Sequence, residues 1–398
     1  MKMVKKKGKR KKIMTIFGTR PEVIKLAPVI RAIEEGNSFK SVVVATAQHR
    51  EMLDQTLAVF GINPQIDMNL MEKGQQLSCL ASRILQSMQS ILDVEKPDLL
   101  ICQGDTTSAF AAGLAAYYNK IPVAHVEAGL RTFDHDHPFP EEGNRQLLSV
   151  ISTLNFCPTQ RARENLLNQS IEEKKIFVTG NTVIDSLLWI ASKKYSFKNP
   201  ILKKLDFSSE KVVLVTTHRR ENFGISMENT FKAILAIVKK FPDVRFVFPV
   251  HLNPNVRKAV NGILGNQERV LLMDPLDYEE FVHLMRRSFL ILTDSGGVQE
   301  EAPTFGIPVL ILRKVTERTE ALEGGNALLI GTQKNDIVDC VSSFLTRPER
   351  VKAFMNRKNP FGDGKAGQRI KEEIKRFLGL CKTRPSTAKI KTKLQKLK

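Results

Sequence analysis

The chain is predicted to be an α/β protein of two Rossmann-like, doubly wound domains facing each other across a cleft. Three observations predict this. Apolar runs of four to six residues recur along the chain, each closed by turn residues and followed by a longer helical pattern. The runs are apolar almost throughout, as parallel strands covered on both faces must be, rather than alternating. They fall into two sets of six within 398 residues, a length that suits two domains better than one.

The first set lies at residues 13–17, 42–46, 99–103, 123–127, 154–158 and 175–180. The second lies at 212–217, 245–250, 269–274, 290–294, 309–312 and 327–331. A Lys-, Ser- and Pro-bearing stretch at 192–209 separates them, which puts an N-terminal domain at 13–190 and a C-terminal domain at 191–364. Ile370, Ile374, Phe377 and Leu378 fall at i, i+4, i+7 and i+8, so a last amphipathic helix is expected over 365–380. Basic tails at 1–12 and 381–398 flank this body.

Charge needs locating before it is interpreted. The net charge is +19, which by itself would suggest nucleic acid. Residues 1–12 carry +8 and residues 382–398 carry +7, with no acid in either, so 15 of the 19 charges sit outside the folded body. A specific nucleic-acid partner is therefore not indicated. Five scattered cysteines with no C-x-x-C suggest neither a disulfide framework nor a zinc site, and fit a reducing compartment. The apolar run after the basic leader stops at Gly18, too short for a signal peptide, and no run approaches the ~20 residues that span a bilayer. A cytoplasmic protein is expected.

Doubly wound sheets bind ligands at the carboxyl ends of their strands, so the residues there matter most. The run ending at Thr293 breaks at Asp294, Ser295, Gly296 and Gly297 and passes into a helical pattern. Two glycines at such a junction admit close backbone approach, and the helix start offers free N–H groups to a phosphate. Glu301, about a turn further on, suits a neighbouring diol; phosphate beside ribose suggests a nucleotide. After the first run, Arg20 and Lys25 could both face an anion at a helix start. Asp105, Glu127 and Glu141 follow other runs, and His218 follows the first run of the second set.

Each of the three carboxylates alone fits a capping or salt-bridging role. Three at the mouth of one predicted sheet point to acid–base chemistry, since carboxylates in a partly dry cleft push one another's pKa apart. His218 could contact a phosphate or carry a proton. Two other patterns are set aside. Gly362, Gly364 and Gly367 match G-x-G-x-x-G, but no strand precedes them, so a turn into the last helix is expected. Asp134, His135, Asp136 and His137 are consecutive, and consecutive loop residues rarely converge on one metal.

Taken together, Gly18-Thr-Arg-Pro-Glu-Val-Ile-Lys25, Thr46-Ala-Gln-His-Arg-Glu-Met-Leu53, Gly104-Asp-Thr-Thr, His125-Val-Glu-Ala-Gly-Leu-Arg131, His218-Arg-Arg-Glu, Pro249-Val-His-Leu-Asn-Pro254 and Asp294-Ser-Gly-Gly-Val-Gln-Glu-Glu301 resemble the non-hydrolysing bacterial UDP-N-acetylglucosamine 2-epimerases. The resemblance runs in order from about Ile13 to Leu380 and omits only the tails. It implies a glycosyltransferase-B-like fold, with the last helix packing back on the first domain. It also implies interconversion of UDP-GlcNAc and UDP-ManNAc with no metal or redox cofactor.

By the same resemblance, Asp105, Glu127 and Glu141 match the family's catalytic carboxylates. Arg20, Lys25, His218, Phe281, Ser295, Gly296, Gly297, Glu301 and Arg318 match its UDP-sugar contacts. Gln48, Gln75, Arg219 and His251 look like contacts of a second, regulatory UDP-GlcNAc, and a homodimer is implied. The departures are Gly143, Leu276 and Thr319, which stand where the family commonly has Ala, a polar residue and Pro. Rival readings are a hydrolysing epimerase, a 2-epimerase of a diacetamido uronate sugar, a glycosyltransferase of the same fold, and a nucleotide-sugar-binding regulator.

Overall fold

The computed structural model describes residues 10–46, 50–70, 72, 74–219 and 222–381, without the side chains of 50–52. These form two compact units: one runs to Thr182 and resumes at Lys365, the other is Val183–Gly364.

The first unit holds seven strands: β1 (Lys11–Phe17), β2 (Phe39–Ala45), β3 (Ile66–Asp67), β4 (Leu99–Gln103), β5 (Val123–Val126), β6 (Leu154–Cys157) and β7 (Ile176–Val178). Their order is β3-β2-β1-β4-β5-β6-β7, and every pair is parallel. The second unit holds β8 (Lys211–Thr216), β9 (Val244–Pro249), β10 (Val270–Met273), β11 (Leu290–Thr293), β12 (Val309–Ile311) and β13 (Ala327–Leu329). Their order is β10-β9-β8-β11-β12-β13, again all parallel. Strand order reverses between β1 and β4, and between β8 and β11. Each unit therefore has one switch point, where the loops leave the sheet in opposite directions and open a crevice.

The central strands are apolar because helices cover both sides of each sheet. β4 is buried at every residue, and Phe231, Phe246, Phe248 and Phe344 in the second unit are fully enclosed. Each such side chain contributes about 1.5–3 kcal/mol of transfer energy.

Two departures from the sequence expectation have a clear physical reason. β3 lay outside the expected six, because a half-exposed two-residue edge strand leaves no apolar run. β1 starts at Lys11 rather than Ile13, so the last two residues of the expected basic tail belong to the sheet. Acids beside them explain this: Lys11 Nζ lies 2.8 Å from Asp98, and Lys12 Nζ lies 2.8 Å from Glu95. The Lys12 amide also donates to Asp98 at 2.8 Å.

The chain passes from the first unit to the second inside the turn-to-helix step at Thr182, and the helix Thr182–Ala191 is tied to the second unit by Arg286, which donates to the Ala191 carbonyl. At the other end the chain returns through Gly364, at φ +78°, into the helix Ala366–Phe377. That helix lies against Arg20–Glu34 in the first unit. Lys371 Nζ donates to the Glu35 carbonyl at 2.9 Å, and Arg369 to the Thr179 carbonyl at 2.9 Å. Gly367 makes the close approach possible, since a Cβ there would stand 2.7 Å from the Pro28 carbonyl oxygen. Among the described residues no helix is long and apolar enough to cross a membrane.

Two glycine substitutions should move stability in opposite directions. Gly367→Ala forces backbone apart and should cost about 1–3 kcal/mol. Gly143→Ala lies in a helix with open space at the Cβ position and should gain about 0.4–1 kcal/mol. Urea unfolding midpoints check both; equal shifts of one sign would contradict the packing described.

Candidate active site

At the first unit's switch point the loops after β1 and β4 are joined by one buried carboxylate. Glu22 stands in the first turn of the helix Arg20–Glu34 and is 1% exposed. Its Oε2 accepts from the Gly18 amide at 3.0 Å, the Thr19 amide at 2.7 Å and the Thr19 hydroxyl at 2.8 Å. Its Oε1 accepts from the Thr106 hydroxyl at 2.8 Å, and Thr106 in turn caps the helix Thr107–Tyr118 by accepting from the Ala109 amide. Burial raises the Glu22 pKa, and these hydrogen bonds oppose it. The clasp sets Arg20 and Asp105 on neighbouring, mutually fixed loops.

The three candidate carboxylates follow β4, β5 and the loop before β6. Asp105 accepts from Arg145 Nη2 at 2.5 Å, and its backbone carbonyl accepts from Asn144 at 2.9 Å. Glu127 is held by Lys25 Nζ at 2.7 Å from Oε1 and 2.6 Å from Oε2. It sits at φ +66°, a left-handed conformation that costs a non-glycine residue about 1–3 kcal/mol and is tolerated mainly at functional positions. Glu141 opens the helix Glu141–Ile151, half-buried, and has no hydrogen-bond or ion-pair partner among the described residues.

Two further residues shape this edge. His125 is completely buried and its Nε2 lies 2.7 Å from the Gly104 carbonyl, at the residue preceding Asp105. Burial holds it neutral, with a pKa lowered to about 4. Glu142, also buried, accepts from the Thr132 and Phe133 amides at 3.1 and 3.2 Å and from Gln146 at 2.8 Å. Burial pushes its pKa up, but Gln146, those amides and Arg145 outweigh it and keep the carboxyl below its ordinary value.

The second unit repeats the clasp from the opposite side of its switch point. Asp294, directly after β11, is 0% exposed. It accepts from the Thr217 hydroxyl at 2.8 Å, the His218 amide at 3.0 Å, the Arg219 amide at 3.0 Å and Asn222 Nδ2 at 3.0 Å. The loop after β8 is thereby wrapped around one carboxylate. His218 projects from it, 40% exposed at the side chain, with Nδ1 3.5 Å from Asp294 and its ring stacked on His251 at 5.3 Å. Burial lowers the His218 pKa, and the Asp294 charge opposes that.

After Asp294 come Ser295, Gly296 and Gly297, at the start of the helix Gly296–Glu301. The Arg318 guanidinium lies 3.5 Å from where a Gly296 Cβ would stand, and its Nε donates to buried Glu300 at 2.7 Å. Glu317 joins Arg318 at 3.2 Å, Arg313 at 2.7 Å and Arg219 at 3.1 Å. Burial raises the Glu317 pKa, but the surrounding arginines bring it down to about 2. Glu301 is buried at the end of the short helix, and Phe281 is half-buried on the helix Tyr278–Arg287.

The structure thus collects Arg20, Lys25, Asp105, Glu127 and Glu141 at one edge of the first unit. It collects His218, Arg219, His251, Ser295, Gly296, Gly297 and Arg318 at one edge of the second. Two expectations change. Lys25 does not stand open at a helix start but is engaged by Glu127. The helix after Ser295 is six residues long and turns into a 3₁₀ turn at Ala302–Phe305, because Pro303 has no N–H to continue the ladder. Its macrodipole is correspondingly short, which leaves local N–H groups and Arg318 as the candidate anion-binding elements. Gln48 lies outside the described residues, and Gln75 belongs to the first unit whereas Arg219 and His251 belong to the second. Asp294, Glu142 and His125 were missed as organising groups. A buried carboxylate or imidazole with backbone partners leaves no spacing signal in a sequence.

Two parallel sheets with polar residues gathered at both switch points define a pair of Rossmann-like domains of the glycosyltransferase-B type. The profile of the UDP-N-acetylglucosamine 2-epimerase family matches residues 31–375. The chain is 47% identical over 369 residues to the UDP-N-acetylglucosamine 2-epimerase of Yersinia pestis, covering 92% of this chain and 98% of that one. The crystal structure of the Neisseria meningitidis UDP-GlcNAc 2-epimerase bound to UDP-GlcNAc matches with a TM-score of 0.82 at 45% identity, covering 91% of this chain and 99% of that one. The Methanocaldococcus jannaschii enzyme in complex with UDP-GlcNAc and UDP matches with a TM-score of 0.73 at 37% identity, covering 91% and 99%. The chain belongs to the UDP-N-acetylglucosamine 2-epimerases, within their non-hydrolysing bacterial group.

Buried His125 and His283 and the part-exposed His218 should make the fold acid-sensitive. His125, His218 and His283 all have pKa values lowered below the ordinary 6.5, chiefly by burial. A histidine whose folded pKa is depressed contributes fully above the unfolded pKa, and its contribution is lost as pH falls toward the folded one. For His125 that window runs from 6.5 down to about 4. The urea midpoint should fall across it, and His125→Gln, which keeps a donor toward Gly104 but does not titrate there, should flatten the slope. An unchanged slope in the variant would refute the assignment to His125.

Proposed function

We propose that this enzyme interconverts UDP-GlcNAc and UDP-ManNAc by eliminating UDP and adding it back to a bound unsaturated sugar. The C2 hydrogen is not beside a carbonyl, so a carboxylate alone cannot remove it. Departure of UDP from C1 builds oxocarbenium character and acidifies C2–H. Inversion at C2 then needs two opposed groups, one to take the proton and one to return it on the other face. The observation that carries this reading is the gathering of Asp105, Glu127 and Glu141 on loops at one edge of a parallel sheet, each held differently: by Arg145, by Lys25, and by no described partner.

Roles divide by unit. Ser295, Gly296, Gly297 and Arg318 hold the diphosphate and stabilise it as a leaving group. Arg20, Lys25 and His218 add positive or donor groups, Glu301 takes the ribose hydroxyls, and Phe281 lies toward the base. Lys25 also neutralises Glu127, so proton transfer at that carboxylate is coupled to the position of one ammonium. UDP-ManNAc made this way would supply ManNAc units for surface polysaccharide, in the cytoplasm. A homodimer is supported by the exposed Tyr117, Tyr118, Leu147 and Val150 on two helices that pack side by side. A second UDP-GlcNAc as activator is supported by Arg219 and His251, which border His218.

Incubation with UDP-GlcNAc in D2O, followed by NMR, should show deuterium at C2 and a UDP-ManNAc signal with little free UDP. Stoichiometric free UDP and ManNAc would instead identify a hydrolysing enzyme. Asp105→Asn, Glu127→Gln and Glu141→Gln should each lower turnover about 10²–10⁴-fold while leaving UDP affinity, measured by calorimetry, nearly unchanged. Full turnover in all three would remove them from the chemistry.

A further inference from the structure

The edge of the first unit opposite its acid–base residues carries a cationic groove that the epimerase chemistry does not use. It is lined by Arg10, Lys11, Lys12, Lys40, Val94, Glu95, Lys96 and Asp98, where β1, β2 and β4 begin. Lys11 and Lys12 are balanced by Asp98 and Glu95. Arg10, Lys40 and Lys96 are exposed and have no ion pair among the described residues.

Both basic segments leave the described body at this same edge. Residues 1–9 enter directly into β1 through Arg10. The helix Ala366–Phe377 runs alongside Arg20–Glu34 in the same direction, since Gly367 lies against Pro28 and Lys371 against Glu35. Glu35 closes the return from the carboxyl edge and leads into β2. The last helix extends six residues beyond Lys371 toward the strand-start edge and there hands on to residues 382–398. Both segments therefore leave the described body at the pole that also carries Lys40 and Lys96. The candidate carboxylates lie at the other.

We propose that this pole docks the protein on an anionic lipid surface, leaving the catalytic edge turned toward solution. The chemistry of the segments selects lipid over nucleic acid. Residues 1–9 and 382–398 hold 11 lysines, one arginine and no aromatic residue. Lysines are point charges suited to a diffuse array of headgroups, whereas single-stranded nucleic acid is gripped through aromatic stacking and arginine forks. Ile390, Leu394 and Leu397 fall at i, i+4 and i+7 among lysines, the pattern of a basic amphipathic segment. Each lysine near an acidic leaflet strengthens partition about fivefold, so the groove and both segments acting together suffice without a hydrophobic span.

The test is sedimentation of the full chain with vesicles of phosphatidylcholine alone, or of phosphatidylcholine mixed with phosphatidylglycerol. The protein should pellet with the mixed vesicles only, be released by salt, and keep its turnover while bound. Arg10→Glu, Lys40→Glu and Lys96→Glu combined should lower partition at least about tenfold with turnover in solution unchanged, which also reports that the variant is folded. If that variant misfolds, the three glutamine substitutions give the same readout in weaker form. Equal partition onto neutral and mixed vesicles, or full partition by the charge-reversed variant, would overturn the proposal. So would removal of the protein from mixed vesicles by single-stranded RNA at equal phosphate, which would assign the pole to nucleic acid.

Discussion

A carboxylate cannot be buried unless donors meet it, and at each switch point of this protein the donors are the backbone of the functional loop itself. Asp294 draws in the hydroxyl of Thr217, the amides of His218 and Arg219, and Asn222. Glu22 draws in Gly18, Thr19 and Thr106. Because main-chain N–H groups supply half of each set, the loop conformation and the carboxylate are fixed together. Neither can move without leaving a charge unmatched in the interior, a cost of several kcal/mol. The side chains that face the crevice inherit their positions from this constraint.

The same logic separates residues that build the site from residues that work in it. Glu22, Glu142 and Asp294 are acidic and close to the reacting edge, but all their oxygens are committed to loop donors. The side chains of Asp105 and Glu127 are committed only to cations, Arg145 and Lys25. The buried His125 carries the geometry one step deeper by holding the carbonyl of Gly104. In the second unit the helix after Ser295 is short, and the Arg318 guanidinium beside its start is aimed by Glu300.

Much of the fold was legible because parallel strands buried on both faces must be apolar throughout, and twelve such runs stand out against the turns. β3 was not legible, since two half-exposed edge residues make no run. Nor was the start of β1 at Lys11, because lysines read as tail until Asp98 and Glu95 are seen beside them. Asp105 and Glu127 could be found as polar residues at strand ends, and Glu141 as an acid in the loop region that follows. The pairing of Lys25 with Glu127 could not, since 102 residues separate them. The left-handed backbone at Glu127 was equally hidden, because nothing in a glutamate's identity announces its φ.

The proposed mechanism has UDP leave C1 while it and the sugar stay bound, with the second unit's glycine amides and Arg318 proposed to hold the departing diphosphate. UDP-GlcNAc labelled with 18O in the bridge between C1 and the β-phosphorus tests this directly. Free rotation of a departed diphosphate before it returns should move label from the bridging to the non-bridging positions, read as a 31P isotope shift in recovered substrate. Label that stays entirely in the bridge through many turnovers, while C2 exchanges with solvent, would contradict the account.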